Sequence, residues 1–171
     1  MDESTTTTTE PRSELPFLAG VNEAGEAIFE SVWVETLVSA PDHVRLLKSP
    51  LFARNLAAGD RLKVINPVTA EYELLQRSGN LSVRVFRKHQ LQPLADFLIP
   101  LMEKAGGVLD LQNNRALVFS IHVSIGFQTI EILLNKSCAT YPDTIWYYGN
   151  VYDPEDGTTP LGWWSEFGSQ E

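Results

Sequence analysis

Three histidines, His43, His89 and His122, and one cysteine, Cys138, are the side chains best suited to reactive chemistry in this sequence. General acid–base work or metal binding needs two or three such groups converging on one point. The spacing offers no such convergence. His43 follows Asp42, His89 sits where a predicted strand gives way to a helix, and His122 ends a predicted strand. No His-Glu-x-x-His or comparable ligand pattern occurs, so the histidines read as turn or capping residues. Cys138 follows the apolar face of a predicted helix, with Lys136 as its nearest base, and reads as a small core hydrophobe rather than an activated thiolate. Glu71 and Glu73 share one face of a predicted strand, where paired acids are usually solvated. No nucleophile elbow, Walker loop or Gly-x-Gly-x-x-Gly turn is present. The expectation is therefore no catalytic residue, no metal and no cofactor.

The densest basic group is Arg77, Arg84, Arg87 and Lys88. On a strand, Arg84 and Arg87 are opposite in phase and do not share a face, which argues against a phosphate site. Arg54 reads as an anchor, its five donors bonding carbonyls or a buried acid. The C-terminal stretch is unusual. Asp153-Pro154-Glu155-Asp156-Gly157 leads into Pro160-Leu161-Gly162-Trp163-Trp164-Ser165-Glu166-Phe167, with no helical or strand period. Trp163, Trp164 and Phe167 either fold back as a closing flap or anchor an interface. Asp153, Glu155, Asp156 and Glu166 around them would steer a basic partner.

Charge is segregated. Residues 1–35 hold eight acids and one base, residues 36–136 eight acids and twelve bases, and residues 137–171 six acids and no base. A net charge of −9 argues against sequence-independent nucleic-acid binding, which needs clustered Lys and Arg. No apolar run approaches the roughly 20 residues of a membrane span. The Thr-rich, acidic start lacks the pattern of a secretory signal, and a lone cysteine allows no internal disulfide. These features predict a cytoplasmic protein.

The positioning elements are predicted as follows. Residues 1–26 are irregular, with a disordered tail from Met1 to about Glu14 that includes Thr5–Thr9. Residues 27–80 form a small curled β part: a strand over Ala27–Ser39, punctuation at Ala40-Pro41-Asp42, a return strand at Val44–Leu47, and a hairpin of Arg61–Asn66 with Glu71–Gln76. Residues 81–152 follow the order strand, helix, strand, strand, helix, strand. The first helix spans Gln90–Ala105, with a kink or early end at Pro100, and the second lies around Phe127–Leu134, capped by Ser124. A strand covers Thr144–Tyr152. Residues 153–171 are an acidic, Trp-rich tail. The fold class is α+β, with the second part a ferredoxin-like βαββαβ unit whose two helices cover one face of an antiparallel sheet.

Pro50-Leu51-Phe52-Ala53-Arg54-Asn55-Leu56-Ala57-Ala58-Gly59-Asp60, followed by Arg77-Ser78-Gly79-Asn80-Leu81-Ser82-Val83-Arg84-Val85, resembles a bacterial family, domain of unknown function 4265. That family pairs a Pro-Phe-Phe-Ala-x-Gly-Leu-Ala-x-Gly-Asp segment with a later Arg-Ser-Gly-His/Asn-Ser-Thr-x-Arg segment. Leu51, Asn55 and the order Leu81-Ser82 depart from the pattern. The resemblance covers about residues 27–152 and implies no activity. Pro50, Phe52, Arg54, Gly59, Asp60, Ser78 and Gly79 are expected to be structural, with Gly59 in a left-handed turn and Asp60 bonding the backbone that follows it. The functional expectation is a non-enzymatic protein that binds a basic protein, an immunity protein against a basic toxin being the specific form. Two alternatives stand beside it. One is a small enzyme with His43 or His122 in a cleft between the two parts. The other is a regulator binding a small molecule or RNA on an open sheet face, against which the lack of a base near Tyr147 counts.

Overall fold

Nine strands and two α-helices build two antiparallel sheets in the computed structural model, which describes residues 11–167. The Thr-rich tail lies outside the described residues. The first sheet is a meander in the order β1-β2-β3-β4-β5: β1 Arg12–Val21, β2 Ala27–Leu37, β3 Ala40–Leu46, β4 Arg61–Asn66 and β5 Glu71–Gln76. Its inward residues, including Phe17, Val32, Val34, Val44, Leu46 and Leu62, form one core. The sheet is rolled. Tyr72 of β5 donates its hydroxyl to the Pro16 carbonyl of β1 at 2.5 Å, and the Phe17 and Tyr72 rings stack at 4.4 Å. Tyr72 is pushed up to about 12 by burial, so it stays a donor at any physiological pH.

The irregular stretch expected at residues 1–26 instead contains β1, paired with β2 from Arg12↔Glu35 to Val21↔Ala27. Pro16 and Gly20 disguise it in the sequence. Proline is accepted because β1 is an edge strand, and Gly20 lies at a register shift. The punctuation at Pro41-Asp42 falls inside β3, where the register jumps between Thr36↔Val44 and Leu37↔Ala40. The two residues sit in the bulge rather than ending the strand.

The second sheet runs β7-β8-β6-β9, with β6 Asn80–Arg87, β7 Val108–Gln112, β8 Ala116–His122 and β9 Thr144–Tyr148. Along the chain, helix α1 (Leu91–Lys104) lies between β6 and β7, and helix α2 (Phe127–Thr140) between β8 and β9. Leu81, Val83 and Val85 of β6, with Leu117, Phe119 and Ile121 of β8, pack against Leu94, Leu98 and Met102 of α1 and Ile130 and Leu134 of α2. The helix does not end early: α1 runs through Pro100 to Lys104. An interior proline costs about 3 kcal/mol. Burying Leu98 and Met102 on either side contributes about 1.5–3 kcal/mol each and offsets it. Ser124 does not cap α2, which starts after Gly126. It lies in a short 3₁₀ turn, where its amide donates to His122 Nδ1 at 3.1 Å. The last strand ends at Tyr148 rather than Tyr152, because the Gly149 carbonyl turns to accept from Asn55 N–H at 2.8 Å.

The fold class is α+β as expected, with nine strands where a lone βαββαβ unit has four. No helix among the described residues is long and apolar enough to cross a membrane.

Candidate partner-binding surface

Even-numbered residues of β6 point away from the helices, and there Ser82 and Arg84 are buried. The covering piece is the loop from Ser49 to Asp60. Leu51 packs with Ala116 and Val118 on this back face, while Ala53 joins the core of the first sheet. A loop between two sheets must satisfy its own backbone. Here Glu30 of β2 accepts the N–H groups of Leu51, Phe52 and Ala53 at 2.9, 2.7 and 2.5 Å. Arg84 of β6 donates to the carbonyls of Phe52 and Ala53. An acid from one sheet and a base from the other thus grip opposite edges of three residues. Burial lowers the pKa of Arg84, and Tyr147 and then Glu30 oppose the shift.

The rest of the signature completes this frame. Pro50 is buried and Phe52 half-exposed at the loop's turn. Asp60 does not bond the backbone after it as expected. It reaches back to Ala57 N–H at 3.0 Å and across to Ser78 N–H at 2.9 Å. Burial raises its pKa, and these two amide bonds pull the other way. Ser78 Oγ donates to the Ala58 carbonyl at 2.8 Å. Gly59 has φ 89° and Gly79 φ 95°, both in the left-handed region. A Cβ on Gly79 would lie 2.4 Å from His122 Nε2 and 2.9 Å from the Phe167 ring, so glycine is required by space as well as by conformation. Arg54 does bond a carbonyl, but that of Pro154 at 3.1 Å, and therefore ties the loop to the C-terminal turn. Arg77 holds Asn55 through its carbonyl and Oδ1 at 3.3 and 2.5 Å.

The candidates for chemistry stay apart. His43 lies on β3, His89 in the exposed turn before α1, and His122 at the end of β8 beside Ser124. Burial pushes the Cys138 thiol up, opposite to what a nucleophile needs. Glu71 and Glu73 are exposed on β5. No group of three or more His, Cys, Asp or Glu among the described residues could hold a metal. A cleft of about 410 Å³ where Arg54, Arg84, Tyr147, Tyr152 and Asp153 meet has no histidine in its lining. The sheet face expected to be open at β6 and β8 is covered by the Ser49–Asp60 loop. Tyr147, expected to lack a base, has the Arg84 guanidinium 6.0 Å from its ring.

The C-terminal aromatics fold back. Trp163 donates its indole N–H to the Asn150 carbonyl at 2.8 Å, with Arg77 over its ring at 5.3 Å. Trp164 meets Phe127 edge-on at 5.1 Å, and Phe167 meets His122 at 5.8 Å. The acids stay outside. Asp153 caps Glu155 N–H, and Asp156 accepts from Thr158 and Thr159 at 2.8 and 2.9 Å, while Glu155 and Glu166 are exposed. Hydrogen bonds from Thr159, first its hydroxyl and then its amide, hold Asp156 down at about 2.

The outer face of the β1–β2 hairpin is where large apolar groups meet water. Leu18 stands opposite Phe29, and Glu14 opposite Trp33, so cross-strand register places all four on one side. Leu18, Phe29 and Trp33 are 53%, 45% and 45% exposed, while Val32 and Val34, on the opposite face of β2, are buried. Ala19, next to Leu18, lines the same cleft as Asp153, Pro154 and Gly157, so the acidic turn borders this hairpin. Reasoning from sequence misses this patch along with β1. The signal available is the alternation Phe29, Ser31, Trp33 against Val32 and Val34, which marks two distinct faces.

A crystal structure of a hypothetical protein from Neisseria gonorrhoeae has the same general fold. The two share 14% identity at a TM-score of 0.59 over 84% of this chain and 96% of that one. No curated protein matches the chain. A family model matches residues 30–140, which hold Glu30, the Ser49–Asp60 loop and Arg84 together, and the chain belongs to that family, Domain of unknown function (DUF4265).

Proposed function

We propose that this protein works by binding a basic protein, which docks on the outer face of the β1–β2 hairpin. The observation that carries this reading is the register-aligned trio Leu18, Phe29 and Trp33, exposed side by side with Glu14 among them. Aromatic and aliphatic anchors with a charged group beside them are what a protein interface uses to combine burial with steering. The acidic turn of Asp153, Glu155 and Asp156 at the border, and the net charge of −9, supply attraction for a cationic surface. Neutralisation of a basic toxin by an immunity protein in the cytoplasm is the specific role that fits these properties. Trp163 and Trp164 then shape the ground on which the acids stand rather than contacting the partner. The stretch from β6 to β9 is read as ferredoxin-like, a reading supported by the element order β6-α1-β7-β8-α2-β9 and the strand order β7-β8-β6-β9.

The test is binding of the purified full chain to cationic proteins encoded beside its gene. A one-to-one complex is expected, weakened by salt. Phe29→Ala with Trp33→Ala should weaken it about tenfold or more, roughly 1.4 kcal/mol. Reversing Asp153, Glu155 and Asp156 should slow association. A complex indifferent to both sets of changes overturns the reading, as does recovery of small metabolites with no protein.

A further inference from the structure

The loop from Ser49 to Asp60 satisfies nearly all of its own amides. Glu30 accepts those of Leu51, Phe52 and Ala53. Asp110, Gly149, Asp60, Ser49, Leu46 and Ala57 accept those of Ser49, Asn55, Ala57, Ala58, Gly59 and Asp60 in turn. The N–H groups of Arg54 and Leu56 bond to no group among the described residues. The Arg54 guanidinium is under-used as well. Its one bond, from Nη1 to the Pro154 carbonyl at 3.1 Å, leaves the rest of a five-donor fork open, and the side chain is exposed. Asn55 Oδ1 accepts from Arg77 at 2.5 Å, so the other half of that amide group, Nδ2, is a further donor.

Arg54, Asn55 and Leu56 line one cavity of about 590 Å³, set between β1, β4, β5 and the loop. Its wall is apolar: Phe17, Ala53 and Leu62 are buried, and Tyr72 and Leu74 half-buried. Arg54 is the one charged side chain among the described residues that line it. Four other clefts each hold a carboxylate, from Glu131, from Glu166, from Asp153, or from Glu14 with Glu30 and Asp110. In a chain of net charge −9, a cavity whose lining has a cation, spare amides and no acid stands apart. We propose that this cavity binds a free fatty acid of medium chain length, with its hydrocarbon chain along Phe17, Leu62 and Leu74 and its carboxylate at Arg54 and the open amides.

Chemistry selects this occupant. Small-molecule sites are mostly apolar cavities of roughly 300–1,000 Å³ with a few placed polar groups, and this one has that character. A carboxylate accepts from a guanidinium and from backbone amides in charge-assisted bonds, about twice as strong as neutral ones. One cation balances one negative charge, which suits a carboxylate better than a dianionic phosphate monoester. An alcohol of the same length would leave the cation unmatched, and a cationic amphiphile would meet Arg54 with like charge. The Tyr72 hydroxyl is committed to the Pro16 carbonyl, so it does not compete for the head group. The site goes beyond the hairpin reading and stands without it, sharing only Leu18 with that patch.

Calorimetric titration of the full chain tests this, with each probe kept below its micelle-forming concentration. Dodecanoate should bind one-to-one and at least about tenfold more tightly than dodecanol or dodecyltrimethylammonium. The last comparison is the sharper one, because the net charge of −9 would by itself draw the cation. Binding should tighten several-fold from octanoate to decanoate and again to dodecanoate, as each step buries more chain. In NMR spectra, the amides of Arg54 and Leu56 should shift with dodecanoate. Arg54→Gln should cost dodecanoate about tenfold and leave dodecanol unchanged, whereas Arg115→Gln in the exposed β7–β8 turn should alter neither. If Arg54→Gln fails to fold, the head-group comparison on the unmodified chain decides. Absence of dodecanoate binding overturns the proposal. So does a cation or alcohol bound as tightly, an affinity that ignores chain length, or amide shifts confined to other parts of the molecule.

Discussion

The two faces of the second sheet are built on opposite principles. Toward the helices, β6 and β8 present Leu81, Val83, Val85, Leu117, Phe119 and Ile121, an apolar layer matched to α1 and α2. Toward the loop, the same strands present Ala116 and Val118 but also Ser82, Arg84 and Ser120, polar groups held in the interior. Ser120 works through specific bonds. Its hydroxyl donates to Asp110, which also accepts Ser49 N–H at 2.9 Å, while Ser49 Oγ accepts from Ala58 N–H at 2.9 Å. Burial raises the pKa of Asp110 against these bonds. The difference teaches that an apolar face tolerates any filling of the right volume, whereas a polar one depends on each named partner.

That contrast can be broken most directly at Arg84. Arg84→Met keeps roughly the length and apolar stem but leaves the Phe52 and Ala53 carbonyls unbonded and Glu30 without its nearby cation. A loss of about 3–5 kcal/mol is expected, the usual cost of removing one partner from a buried charged set, read from urea unfolding. A loss under about 1 kcal/mol would show that the loop holds itself and that the two faces do not differ in kind. Leu98→Met on the helix side should cost less than about 1.5 kcal/mol, because it conserves volume where no polar atom needs a partner. A larger loss would mean that the apolar face is as exacting as the polar one.

The smallest effect sharpens the boundary of the polar network. Asp156 sits at about 2, below its ordinary 3.8. A carboxyl depressed on folding favours the folded state above its ordinary value, and that contribution disappears as pH falls from 3.8 toward 2. Carbon-detected NMR titration should place the Asp156 midpoint near 2, and Thr159→Ala should return it toward 3.8 with little change in thermal stability. A large drop in melting temperature would place this turn among the structural clamps instead of on the surface.

The faces also differ in what the sequence reveals. Helix α1 is legible because Leu91, Leu94, Leu98 and Met102 recur at a period that needs no distant information. The β4–β5 hairpin is legible because Asn66 shapes its own turn, accepting Val68 N–H at 3.0 Å. Strand β1 is not. Leu15 and Phe17 alternate only weakly around Pro16, and their burial depends on rolling the sheet against Tyr72, 56 positions beyond Pro16. Glu30 is invisible as a clamp in the sequence, since one acid in a strand looks like any surface acid until a loop 21 to 23 residues later supplies three amides. Arg54 and Arg84 both lie within the signature segments, and the sequence does not say which of them holds the loop. Arg84 does the gripping, because a strand from the other sheet is what can reach the loop's carbonyl edge. The hairpin patch is hidden with its partner strand, as facing residues cannot be paired when one strand is unseen.

The Ser49–Asp60 loop closes the floor of the rolled sheet with Ala53 and the back of the helical half with Leu51. It is a party wall. Cutting the chain anywhere between Gln76 and Asn80 would strand that wall with one tenant and leave Arg84 facing water in the other, so neither fragment would inherit a finished core. Insertion or permutation is better placed at the outlying turns, such as the one around Asn22, than at the seam where the sequence passes from one sheet to the next.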